Sequence, residues 1–382
     1  MKRGLFVQTE RRRFWLCTCA LSAASLAHAQ EGEPVGPPPS PPPAANSNAP
    51  ATEPQDEKPM SPAEAELSAA EFDAWPDFQY ADDPDAPPQS QCLDLFTPDE
   101  NPPAPLPVIV WIHGGGWQDG DKRGGLDWKP ACFTHAGFVL AMVNYRLAPA
   151  FVYPSFMLDA ARAVAWLRVH VGEHGGDPDR IVVVGHSAGS HIAGLLATDP
   201  HWLVDATAAQ GRTSSNPPAP TDPSNPSTAL NPPDPPKQPI SQVPWLKGVV
   251  LIDGGSYDLV RRAQRQTDAE NTIGLVFGRD GSLWAAASPV THVAAGKNLP
   301  PFLLIHAGTN RVNELARREL AGLLQRAEVP VELIDAPEQS HVSIQRNLGA
   351  PDDPTTAKVI DFLRKVTNAP SPAAKPKRHG PY

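Results

Sequence analysis

Cysteine is scarce in this chain: its 382 residues include only four. Cys17 and Cys19 fall in a stretch that reads as a removable leader, which leaves Cys92 and Cys132. A disulfide-dense scaffold is therefore excluded, and the two remaining thiols either pair in an oxidising compartment or stay apart as buried groups. Positive charge is also in short supply. Lys and Arg number 32 against 42 Asp and Glu, for a net charge of −10, which argues against nucleic acid or an anionic membrane as a partner. Long apolar runs are missing too. Phe14 to Leu26 is apolar but too short to span a bilayer as a mature helix.

What that stretch does resemble is a secretory signal. Arg11, Arg12 and Arg13 precede it, and Ala27-His28-Ala29 follows with the small-x-small pattern of a cleavage site. Cleavage there makes Gln30 the first mature residue, moves the net charge from −10 to −14, and implies a secreted or periplasmic protein with no transmembrane segment.

Proline, by contrast, is abundant. There are 47, concentrated from Pro34 to Pro62 and from Pro217 to Pro244. Residues 30–60 and 211–244 are too poor in apolar side chains to order themselves, so they read as a tether and as an insert within one domain. The expected layout is a signal at 1–29, the tether at 30–60, a single domain over 61–368 and a disordered tail at 369–382. Ser61 to Phe72 has the pattern of a capped helix, with Ser61 as N-cap and Glu64 three residues on.

Within the domain, short apolar runs alternate with helical patterns. The runs are Val108–Ile112, Phe138–Val143, Ile181–Val184, Val249–Ile252, Phe302–Ile305 and Val331–Ile334. Continuous apolar runs of this length suit strands buried on both faces. Met157–Val171, Val312–Ala327 and Thr355–Val366 carry apolar residues at helical spacing. The alternation implies an α/β fold with a doubly wound, mostly parallel sheet.

Two motifs sit at strand ends. Ile181–Val184 runs straight into Gly185-His186-Ser187-Ala188-Gly189 and then into a helical run. A serine on such a strand–turn–helix junction is held in a strained conformation with its hydroxyl exposed above the sheet. The other motif, His113-Gly114-Gly115-Gly116-Trp117, follows Val108–Ile112. Its glycines bring backbone amides close to an oxygen that develops negative charge. Gly115, Gly116 and Ala188 are the expected donors. The Lys-Ser/Thr pair of a nucleotide loop is missing, and no metal or cofactor site is read. A proton acceptor should follow the last strand, and among 12 histidines His341 has that position. His186, beside Ser187, is the second candidate.

Val108 to Leu363 resembles the α/β-hydrolase superfamily. HGGGW, Asn144-Tyr145-Arg146-Leu147-Ala148-Pro149, Asp177-Pro178-Asp179-Arg180 and GHSAG are similar to the esterase/lipase group that contains hormone-sensitive-lipase-like carboxylesterases and arylformamidases. The resemblance implies a cofactor-free hydrolase of carboxylic esters, with Ser187 as nucleophile, His341 as base and an acyl-enzyme intermediate. It leaves open an arylformamidase-like amide hydrolase, and a degenerate hydrolase serving as an envelope binding protein. The second alternative arises because relatives carry their acid in His-Gly-x-x-Asp, whereas His306-Ala307-Gly308-Thr309-Asn310 puts an amide there. The acid is then Asp258, taken first because it lies near a strand terminus, or Glu314, or it is replaced by Asn310 itself. Chain direction puts the proline-rich insert on the face away from Ser187. The segment from Asp258 to Pro301 is the expected small cap, with Ile273, Leu275, Val276, Phe277, Leu283 and Trp284 joining Trp117 around an apolar substrate pocket.

Overall fold

The apolar runs do become strands, and they line up in one sheet. The computed structural model describes residues 72–98, 102–210, 246–265 and 269–370. The leader, the tether and the insert at 211–244 lie outside these residues, as does nearly all of the helix read over Ser61–Phe72. Phe72 itself opens a strand.

The strands are β1 (Phe72–Gln79), β2 (Cys92–Pro98), β3 (Leu106–Ile112), β4 (Val139–Val143), β5 (Gly176–His186), β6 (Gly248–Ile252), β7 (Phe302–Ala307) and β8 (Val331–Ala336). Their order across the sheet is β1-β2-β4-β3-β5-β6-β7-β8. From β4 to β8 all neighbours are parallel, while β1 and β2 join antiparallel at one edge. Parallel neighbours need crossover connections, and the helices supply them.

Side chains alternate between the two faces of each strand. Val108, Val110 and Ile112 of β3 therefore enter one core, and Ile109 and Trp111 the other. The first core receives α2 (Ser155–His170), α3 (Ala188–Thr198) and α4 (His201–Gln210). Phe133 of α1 (Lys129–His135) fills the second. A segment of short helices follows β6: α5 (Leu259–Arg265), α6 (Ala269–Phe277), α7 (Gly281–Ala286) and α8 (Pro289–His292). Leu320 and Leu324 of α9 (Arg311–Arg326) pack into the first core. Ile344 of α10 (Ser343–Asn347) and Phe362 of α11 (Pro354–Thr367) pack into the second.

Two thiols end up on separate elements. Cys92 in β2 and Cys132 in α1 are buried and free, so the pairing considered from the sequence does not form. No described helix is long and apolar enough to cross a membrane.

Candidate active site

Parallel strands end together at one edge of the sheet, and loops leaving those ends converge there. β5 delivers Ser187. Its backbone has φ 54° and ψ −116°, a conformation that side-chain-bearing residues adopt at a cost of about 1–3 kcal/mol. The surroundings enforce it. Ser187 N–H donates to the Ile252 carbonyl at 2.9 Å, extending the β5–β6 ladder by one bond. A β-carbon on Gly185 would lie 2.1 Å from the Gly189 carbonyl oxygen, and one on Gly189 would lie 2.1 Å from that of Ile112. Only glycines let strand, turn and helix close to this separation.

The loop after β8 delivers His341. Its Nε2 lies 2.9 Å from Ser187 Oγ, across 154 residues of sequence. Its Nδ1 lies 2.6 Å from Oδ2 of Asp253. Serine, histidine and aspartate thus form one hydrogen-bonded line in which the aspartate holds His341 with Nδ1 protonated and Nε2 free to accept.

The carboxylate that meets His341 is not Asp258. Asp258 accepts the Arg261 N–H at 2.8 Å, a local turn contact. Nor is it either alternative. Glu314 pairs with Arg318 at 2.6 Å. Asn310 Oδ1 accepts from Val312 N–H and Asn313 N–H, so the amide in the usual acid slot caps α9 instead. The carboxylate has moved one strand over, to the residue immediately after β6. With a carboxylate facing His341, the amide at 310 no longer argues for a degenerate site.

Asp253 is held by four donors. Oδ1 accepts from His306 Nδ1–H and Ala307 N–H, both at 3.0 Å. Oδ2 accepts from His341 and from Asn313 Nδ2–H at 3.2 Å. Asp253 also has a positive φ, 46°, which turns its side chain back toward β7. Burial pushes its carboxyl pKa up, and the donors, His341 foremost, more than offset this and hold it below the usual carboxylate value.

Across Ser187 lies the loop after β3. Gly115 and Gly116 have φ 110° and 61°. Among the described residues, no hydrogen bond engages the N–H of Gly115, Gly116 or Ala188. Ala188 opens α3, where the helix dipole adds partial positive charge. The loop is braced by the Asn144–Ala148 stretch. Tyr145 Oη donates to the His113 carbonyl at 2.9 Å and its ring stacks on His113 at 4.3 Å. Asn144 Oδ1 accepts from Lys122 N–H. Lys122, 1% exposed at its side chain, reaches Asp77 and also Asp94 at 2.6 Å.

Trp117 does not line an open pocket. It is 3% exposed, with its ring edge-on to Phe277 at 5.1 Å and to His191 at 5.4 Å. Its positive φ, 62°, swings the indole inward under the loop. Ile273, Val276 and Phe277 are likewise core residues, while Leu275 and Leu283 remain exposed at 51% and 41%. The segment expected as a cap forms the short helices after β6, and Ile273, Val276 and Phe277 pack into the core rather than around an open pocket. Two residues that sequence reasoning missed are Asp253 and His306. A signal for the first was available: Ile252-Asp253-Gly254-Gly255 repeats the strand-then-glycine pattern of the other two motifs.

Comparison with solved structures decides the fold. Esterase B from Lactobacillus rhamnosis, in an inhibited form, superposes with a TM-score of 0.58 over 80% of this chain and 91% of that one, at 22% identity. The chain has the α/β-hydrolase fold. In sequence, residues 93–217 match the family model described as BD-FAE. The chain is 28% identical over 255 residues to the probable carboxylic ester hydrolase LipM of Mycobacterium tuberculosis, covering 65% of this chain and 52% of LipM. It is also 28% identical over 303 residues to esterase LipC of the same organism, covering 78% of this chain and 66% of LipC. The matches therefore span about half to two thirds of these relatives' lengths.

Proposed function

We propose that this α/β-hydrolase is an exported serine esterase that cleaves small carboxylic esters through an acyl-enzyme. The observation that carries the reading is the line Ser187 Oγ–His341 Nε2, His341 Nδ1–Asp253 Oδ2, at 2.9 and 2.6 Å. Relatives named as carboxylic ester hydrolases and esterases support the same class of reaction.

In this mechanism Ser187 Oγ attacks the ester carbonyl carbon while its proton passes to His341 Nε2. The imidazolium that forms is stabilised by Asp253. Negative charge on the tetrahedral oxygen is met by the N–H groups of Gly115, Gly116 and Ala188. Collapse breaks the bond to the alcohol, which leaves with the proton from His341. Water, deprotonated by the same imidazole, then attacks the acyl carbon; the bond to Ser187 Oγ breaks, His341 returns the proton to Oγ, and the acid is released.

A chromogenic short-chain ester, p-nitrophenyl butyrate, and a fluorophosphonate probe test this. Wild-type protein is expected to hydrolyse the ester and to be labelled, and Ser187→Ala to do neither. Labelling of folded Ser187→Ala at the wild-type rate would refute the assignment. For export, protein recovered from the envelope or medium is expected to begin at Gln30. An intact Met1 there would refute cleavage of the leader.

A further inference from the structure

His186 is the residue that the mechanism above does not use. It ends β5, one position before the nucleophile, and is 4% exposed. Its Nε2 lies 2.8 Å from the main-chain carbonyl oxygen of His341. A carbonyl only accepts, so Nε2 carries the proton and donates. Nδ1 is buried and has no hydrogen-bond partner. The ring therefore sits as the neutral Nε2–H tautomer, tilted against the His341 ring at 4.7 Å between centroids.

The position of this bond matters because of how His341 is otherwise held. Its side chain is 42% exposed. Around it, Ser340 N–H donates to Ser343 Oγ and Ser343 N–H to Ser340 Oγ, at 2.8 and 3.0 Å, which shapes the turn without tying it to the sheet. Among the described residues, no other hydrogen bond engages the His341 backbone. The bond from His186 joins that backbone to the end of the strand that also carries Ser187. Nucleophile and base thus share one rigid platform.

Space for the imidazole comes from Gly114. A β-carbon there would fall 2.8 Å from His186 Nδ1 and 3.1 Å from Ser187 Cβ. The first glycine of the HGGGW motif therefore makes room for His186 and Ser187.

We propose that His186 is a positioning residue for the esterase reaction, donating Nε2–H to the His341 carbonyl and so fixing the distance between the His341 ring and Ser187 Oγ. Burial and the neighbouring His341 hold the His186 pKa down at about 4, so the neutral donor persists through the working range. This inference rests on the esterase reading, and it adds a requirement at a residue that touches no substrate.

His186→Gln keeps an N–H donor close to the position of Nε2. His186→Phe and His186→Met remove it, and Met serves if the Phe variant does not fold. With p-nitrophenyl butyrate, the donor-less variants are expected to lose about 10²-fold in kcat with KM nearly unchanged, since a misplacement near 1 Å costs about that much. The Gln variant is expected to recover most of the rate. Hydrogen–deuterium exchange of the 337–347 segment gives a second readout that does not depend on activity. It is expected to quicken in the Phe and Met variants and not in Gln. Unchanged kcat without the donor, a Gln variant as slow as Phe or Met, or unchanged exchange would overturn the proposal. A wild type that neither hydrolyses the ester nor takes the fluorophosphonate would refute the esterase reading instead, while exchange would still decide whether the tether exists.

Discussion

Asp253→Asn keeps the size of the side chain and removes its charge, and the surrounding donors determine which way the new amide turns. Four donors converge on the carboxylate: His306, Ala307, Asn313 and His341. An asparagine has one acceptor oxygen, so it cannot satisfy both sides. Ala307 N–H is main chain and can only donate. Leaving it unmatched in the buried site costs about 1–3 kcal/mol. A histidine facing the amide can instead change tautomer. The oxygen therefore takes the Ala307 side, and the NH₂ faces His341 Nδ1. His341 then carries its proton on Nε2, where it points at Ser187 and blocks acceptance of the serine proton. Loss of the right tautomer, together with loss of charge on the imidazolium, costs about 10⁴-fold in kcat in a serine protease triad, or about 5.4 kcal/mol of barrier. The assay is steady-state hydrolysis of p-nitrophenyl butyrate, with a thermal melt to show that the variant folds. Asp258→Asn serves as control and is expected to stay within about twofold, because its carboxylate meets only the N–H and guanidinium of Arg261 in its own turn. Retention of more than a tenth of wild-type kcat by folded Asp253→Asn, or a larger loss in Asp258→Asn, would refute the reasoning.

Gly114→Ala is expected to cost about 1–3 kcal/mol of stability from overpacking and to lower kcat more than the melt alone explains, since the new methyl meets His186 and Ser187. Asp94→Asn leaves the buried Lys122 ammonium short of a partner; a loss of about 3–5 kcal/mol is expected by chemical denaturation, and a loss below about 1 kcal/mol would show that Asp77 suffices. Lys129 is fully buried, bonded through Nζ to the Gly125 and Gln345 carbonyls at 2.7 and 2.6 Å, and burial lowers its pKa to about 8. Between that value and about 10.4 the unfolded chain holds a proton that the folded chain has released, so stability relative to Lys129→Met is expected to rise with pH over this window, by up to about 1.4 kcal/mol per unit. A flat difference between the two proteins across pH 8–10 would refute it.

The strands that were legible were those that carry an apolar run. β3 to β7 lie inside the sheet and read as apolar runs, and β8, the half-exposed strand at the far edge, was read from Val331, Leu333 and Ile334. β2 is buried but interrupted by Asp94 and Thr97, and it was not read. β1 was not legible: FDAWPDFQ is an edge strand with half-exposed residues and no apolar run. In the site, Ser187 and His341 were readable because a strand end or a loop after a strand fixes where they point. The acid was harder. Neighbouring parallel strands end about 4.8 Å apart, so a carboxylate after β6 or after β7 reaches the same imidazole. Which one does so depends on a backbone angle at Asp253 that sequence spacing does not encode. Trp117 misled for a similar reason, since its φ sends the ring inward.

The line from Ser187 to His341 also has a consequence in time. A chain made from its N-terminus completes the strained serine turn and the glycine loop well before residue 341 exists. Until β8 and the turn after it have docked, the serine has no imidazole to take its proton, although Asp253 is already in the chain, and it remains an ordinary hydroxyl. Under the proposed mechanism, ester cleavage is expected to report arrival of β8 and the turn that carries His341, and loss of that segment is expected to silence the reaction while leaving Ser187 in place.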